Sequence, residues 1–242
     1  MRHRNHNSFI LTPITKILEE AISATAGIGD GIETYVLYDY VMQSVFLKMT
    51  GAQEQKMKCI CWELATNDYG YRYDRYTKNP LGECSKYSEK FQVYKDLIQQ
   101  IKIYSASFNI ETFFNNKEII EDTYTKMDNF LDNSCLKSVL GSEYINFIKN
   151  KIKEDDFLIK PKQQDKNIIL FSDDLQKKYT KLYNHRNRCA HNTLSYQQNL
   201  PTLDTLRKKE YVYENYFIYF SILILIDEIM MKLYQKYLEV ID

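Results

Sequence analysis

Apolar residues recur at helical spacing along most of this chain. From Leu11 to about Ala24 they fall at Ile14, Ile17, Leu18 and Ile22, the pattern of one buried helix face. The stretch "GIGDG" at 27–31 interrupts it. Ile32 to Met49 is apolar almost all round, with Val36, Tyr40, Phe46 and Leu47, and predicts a central helix. Thr50 and Gln53 read as a capping box that opens a third helix through about Ala65. Periodicity disappears over 67–90, where turn residues cluster and Tyr69, Tyr71, Tyr73 and Tyr76 interleave with Arg72 and Arg75; a long loop or insertion is predicted there. Helical spacing returns from Phe91 to about Phe108, from Glu118 to Leu131 and from Glu143 to Ile152. Residues 156–171, which include Pro161, read as an extended connector with room for a short strand. Ser172, Asp173 and Asp174 supply N-cap chemistry for a helix that runs through "YNHRNRCAHN" at 183–192. A loop at 194–205 with Pro201 follows, and a long helix from about Lys208 to Val240 closes the pattern.

Composition supports this reading. Only 7 Gly and 4 Pro occur in 242 residues, so tight turns are few and helices long. With 44% hydrophobic residues there is ample material for a core. No repeat, low-complexity tract or domain boundary stands out, so residues 1–242 are read as a single all-α domain, a multi-helix bundle with a loop-rich middle. Basic and acidic residues balance at 32 each, which argues against coating nucleic acid by bulk charge but leaves room for a local basic site. The five cysteines are odd in number and irregularly spaced. Cys59 and Cys61 would point to different sides of a helix and lack a second close Cys/His pair, so no zinc site or other cofactor is expected, and reduced thiols fit a cytoplasmic protein. The first residues are polar, with no apolar secretory segment behind them. The most apolar run, "YFIYFSILILI" at 216–226, is about half the roughly 20 residues a membrane span requires, and Asp227 and Glu228 follow at once. It reads as a buried helix, not an anchor.

Candidate chemistry concentrates at 183–192, which holds His185 and His191, two of the four histidines. On a helix beginning at Asp173, Leu175, Tyr179, Leu182, Tyr183, Cys189 and Ala190 form an apolar stripe with Arg186 near its middle. A core-facing guanidinium needs a carboxylate, a cleft or an interface. Glu33, Asp39 and Glu63 on the early helices are candidate partners. His191 lies ~140° further round an ideal helix, so the two side chains converge only if the helix ends near Cys189 or a second protomer contributes. Arginine offers a permanent charge and a donor fork for phosphate, and histidine moves protons near neutral pH. Together they suit metal-free RNA cleavage, in which a histidine deprotonates the ribose 2′-OH or protonates the leaving oxygen. No P-loop, G-x-S-x-G, H-E-x-x-H or paired C-x-x-C is present, so NTPase, serine hydrolase and zinc-protease chemistry have no sequence support.

Arg186-Asn187-x-x-x-His191, with a small residue before the histidine, resembles the R-x4-6-H signature of the HEPN superfamily. The resemblance covers the motif helix and the final helix; the remainder matches only in being helical. It implies an all-α fold and a metal-independent endoribonuclease of a toxin or antiphage system. It further implies a composite site across a homodimer, with Arg186 and His191 as catalytic pair and Asn187 as accessory polar residue. The implied partners are an RNA substrate, a second copy, and an antitoxin or defence-system protein that restrains the activity. Thr193 stands where some members place a tyrosine, the nearest here being Tyr196, which sets the chain apart from toxins paired with nucleotidyltransferases. Arg188, Tyr196, Arg72, Arg75 and Tyr73 are the candidate RNA contacts, because aromatic and basic side chains together stack and hold single strands. The plain alternative has those tyrosines packing a loop onto the surface. His185 is expected to cap the helix or face solvent, and the N-terminal "HRNHN" at 3–7 to form a mobile basic arm. The final helix, with Tyr211, Tyr213, Tyr216, Phe217, Tyr219 and Phe220, is expected in the core and partly on a dimer surface. The competing functional class is a non-catalytic helical module, an RNA-binding or regulatory subunit of a defence complex.

Overall fold

Pro13 divides the first helical segment in two: α1 (Arg4–Leu11) and α2 (Thr15–Thr25). The computed structural model describes residues 4–29, 31–134, 151–160, 169–191 and 215–241. The expected N-terminal arm is therefore the start of a helix, and it is docked. His6 Nδ1 lies 2.8 Å from Glu63 Oε1, and the Tyr234 hydroxyl donates to Asn7.

Helix α3 (Tyr35–Asn67) runs 33 residues without a break, so the capping box at Thr50 and Gln53 does not start a new helix. Both side chains are buried and bond elsewhere. Thr50 Oγ1 donates to the Leu47 carbonyl at 3.0 Å, and Gln53 Nε2 donates to the Leu223 carbonyl at 2.8 Å. A capping box stabilises backbone N–H groups that have no helical partner; inside a continuous helix none exist, and packing on the final helix decides the roles instead.

The stretch expected as a loop is part helix. α4 (Tyr69–Tyr73) starts at Asp68, whose carboxylate accepts the Tyr71 N–H at 3.0 Å, and one π turn follows over Asp74–Lys78. Residues 79–86 are irregular. Then come α5 (Tyr87–Tyr104), α6 (Ile110–Phe113) and α7 (Asn116–Asp132). The connector holds two short antiparallel strands, β1 (Phe157–Ile159) and β2 (Ile169–Phe171), with Phe157 opposite Phe171 and Ile159 opposite Ile169. α8 (Asp173–Ala190) starts as expected, Ser172 Oγ accepting the Leu175 N–H at 3.2 Å, and α9 (Tyr216–Ile241) is the last helix. Most of the predicted 143–152 helix, the 194–205 loop, and Tyr211 and Tyr213 lie outside the described residues.

The molecule is an all-α bundle built round α9, which packs against α3, α5 and α7 and is buried continuously from Phe217 to Met230. Asp227 and Glu228 sit within this run and are themselves buried. Asp227 receives Lys56 Nζ at 2.7 Å and the Ile14 backbone N–H at 2.9 Å, so one carboxylate ties α9 to α3 and to the turn before α2. Glu228 is bound by Lys126 of α7. Burial raises the Asp227 pKa and lowers that of Lys56, yet the pair persists because each neutralises the other. Among the described residues no helix is long and apolar enough to cross a membrane.

Candidate functional site

α8 buries Leu175, Tyr179, Leu182, His185 and Cys189. The buried stripe is thus centred near Leu182, with His185 at one edge and half-buried Arg186 within it. This corrects the expectation that His185 caps the helix or faces solvent. Its ring packs on Phe46, Tyr216 and Tyr219 at centroid distances of 5.3, 5.4 and 6.1 Å. Nε2 lies 3.1 Å from the Tyr216 hydroxyl, and Nδ1 lies 3.5 Å from an Arg188 nitrogen. Burial, helped by the Arg188 charge, pushes the imidazole pKa down to about 4, so His185 is neutral at physiological pH. The spacing Leu182-x-x-His185-x-x-x-Cys189 was the available signal for this placement.

Arg186 meets a carboxylate, but not one of the three expected. Nη2 donates to Glu54 Oε2 of α3 at 2.9 Å, and Nη1 donates to Asn187 Oδ1 at 3.2 Å. The arginine side chain keeps 27% of its surface exposed. Glu63 instead serves His6. α8 ends at Ala190, and His191 follows with φ −97° and ψ 7°, its N–H donating to the Asn187 carbonyl at 3.0 Å. His191 is exposed at this helix end. Arg186 and Asn187 are therefore held together, while His191 stands at the C-terminal cap of the same helix.

Sequence reasoning missed a second cation behind the pair. Lys90 of α5 is only 2% exposed, and burial pushes its pKa down to about 8 against the opposing pull of Glu54. Glu54 thus faces two positive groups, Arg186 from α8 and Lys90 from α5. A lysine in a tyrosine-rich segment normally reads as a surface residue, and only the tertiary pairing distinguishes this one.

The remaining candidates are dispersed. Arg188 turns back towards His185. Arg72 and Tyr73 are exposed on α4. Arg75 forms a two-pronged ion pair with buried Asp96 of α5, at 2.6 and 2.7 Å, which occupies its donor fork inside the protein. Tyr196 lies outside the described residues. Among the described residues no group of three His, Cys, Asp or Glu side chains is gathered to hold a metal ion. Comparisons of the chain with protein-family models, curated proteins and solved structures found no match.

Proposed function

We propose that the protein is a metal-independent endoribonuclease of the HEPN type, part of a toxin or antiphage system, acting as a homodimer in the cytoplasm. The observation that carries this reading is the end of α8. There, an arginine anchored by Glu54 and Asn187 stays partly exposed, and an exposed histidine follows at the cap. In the proposed reaction His191 moves the proton of a ribose 2′-OH or of the leaving 5′ oxygen, and Arg186 stabilises the negative charge of the phosphorane. One histidine cannot fill both proton-transfer roles at once, so a second copy across a twofold axis supplies the other. Incubation with RNA in excess EDTA is expected to give fragments ending in 2′,3′-cyclic phosphate. Fragments ending in 3′-hydroxyl, or cleavage that EDTA abolishes, would overturn it.

A second reading is favoured by the Arg186–Glu54 pair itself, since a guanidinium committed to a carboxylate can serve the bundle alone. The protein would then be a non-catalytic helical module that binds RNA or regulates a defence complex. Arg186→Ala would in that case lower the melting temperature of a chain that never cleaves RNA.

A further inference from the structure

Two thiols that take no part in the proposed site meet beside it. Cys61 projects from α3 and Cys84 from the irregular segment before α5; they are 5% and 1% exposed, line one cavity, and their thiols interact electrostatically. The Cys84 thiol also makes a weak contact with the Gly82 carbonyl at 3.9 Å. Cys84 has φ of 60°, in the left-handed region that a side chain ordinarily avoids. Neighbouring bonds hold it there: Tyr179 donates to the Ser85 carbonyl at 2.7 Å, and the Lys86 N–H donates to Glu89 at 3.2 Å. The shared cavity, of about 340 Å³, is also walled by Lys58, Trp62, Tyr76 and Leu81. Trp62 and Tyr76 of its wall meet edge to face at 6.2 Å and are both exposed, so the cavity communicates with solvent.

We propose that Cys61 and Cys84 are an oxidation site, closed to a disulfide by hydrogen peroxide that enters through this cavity. The inference stands apart from the nuclease reading and requires no RNA chemistry. Cys84 reacts first. The interaction with Cys61 and the positive charge of nearby Lys90 both favour the Cys84 thiolate, while Cys61 holds its proton more tightly. The Cys84 thiolate attacks one peroxide oxygen, the O–O bond breaks, and hydroxide leaves to be protonated to water. Cys84 is now a sulfenic acid. The Cys61 sulfur attacks the Cys84 sulfur, the S–O bond breaks, and the departing hydroxide leaves with a proton as a second water. Two thiols and one peroxide thus give one disulfide and two waters, with two electrons passing from sulfur to oxygen. The approach of the sulfurs to a bonded ~2.05 Å falls on Cys84, whose segment lacks a helical hydrogen-bond ladder. Small size is what the buried thiols select for, so peroxide fits where a bulky disulfide does not.

The full chain would be treated with hydrogen peroxide, its remaining thiols alkylated under denaturing conditions, and its peptides mapped by mass spectrometry without reduction. A Cys61–Cys84 linked peptide is expected as the dominant oxidised species, with half-buried Cys59 still alkylated. In Cys61→Ser the reaction should stop at a Cys84 sulfenic acid that dimedone traps. The wild-type map does not depend on any variant folding. Full alkylation of Cys84 after exposure that oxidises Cys59, or a Cys84 link to any cysteine other than Cys61, would overturn the proposal.

Discussion

Replacing the buried Lys90 with methionine tests the electrostatics behind Arg186. The folded protein holds this ammonium at a pKa of about 8, against 10.5 for a free side chain. That gap corresponds to about 3 kcal/mol against folding while the lysine is charged. Because the folded value is the lower one, the folded chain binds fewer protons than the unfolded chain between about 8 and 10.5. Stability from this group is therefore complete only above 10.5 and is lost as pH falls through about 8. Methionine matches the length of the stem and carries no charge, so Lys90→Met removes the linkage. Urea denaturation of both proteins, reduced, at pH 7, 8, 9 and 10 isolates the effect, since every other titrating group is shared. The wild type should gain on the variant by ~2 kcal/mol in all between pH 8 and 10, and the variant should be at least as stable at pH 7. A difference that stays constant with pH would refute the argument. So would a variant less stable by more than ~2 kcal/mol at pH 7, since the ammonium would then be a net stabiliser through Glu54.

Other outcomes follow from the same packing. His185, buried and neutral, should titrate by NMR near pH 4; because its folded pKa lies below the unfolded value of 6.5, stability is present above 6.5 and is lost as pH falls towards 4, and a titration midpoint near 6.5 would contradict its placement. Lys56→Met leaves Asp227 charged in the core without its cation and should cost ~3–5 kcal/mol by chemical denaturation, whereas a cost under ~1 kcal/mol would show that the pair is dispensable. Arg186→Ala should destabilise by ~1.5–3 kcal/mol through the loss of a charge-assisted bond to Glu54, while exposed His191→Ala should stay within ~0.5 kcal/mol of wild type; equal losses at both positions would contradict the difference in burial.

Helical periodicity made α5, α7, α8 and α9 legible because each has one face, or every face, in the core. It failed at α4 and the π turn after it, where Tyr69 and Tyr73 point to solvent and only Tyr71 and Arg75 turn inward, too short a pattern to register. It also failed at Thr50 and Gln53, whose polar side chains resemble a helix start but bond within and across helices. Glu54, the residue that answers Arg186, lies on the same predicted helix as Glu63, and nothing local singled it out. The need for a carboxylate was visible in the sequence; its identity depended on how α3 and α8 cross, which local pattern does not encode. His185 shows the converse limit: its spacing places it on the stripe, but residue type argued for solvent, and ring packing on Phe46 and Tyr216 overrode that.

The most direct test of the central claim is RNA cleavage in EDTA by wild type and His191→Ala, prepared identically and shown to melt alike. General acid–base catalysis by a positioned histidine supplies about 10²–10⁴ in rate, so His191→Ala should lose at least ~100-fold. Cleavage by the folded variant at the wild-type rate, or no cleavage by the wild type, would contradict the assignment of His191 to the chemistry.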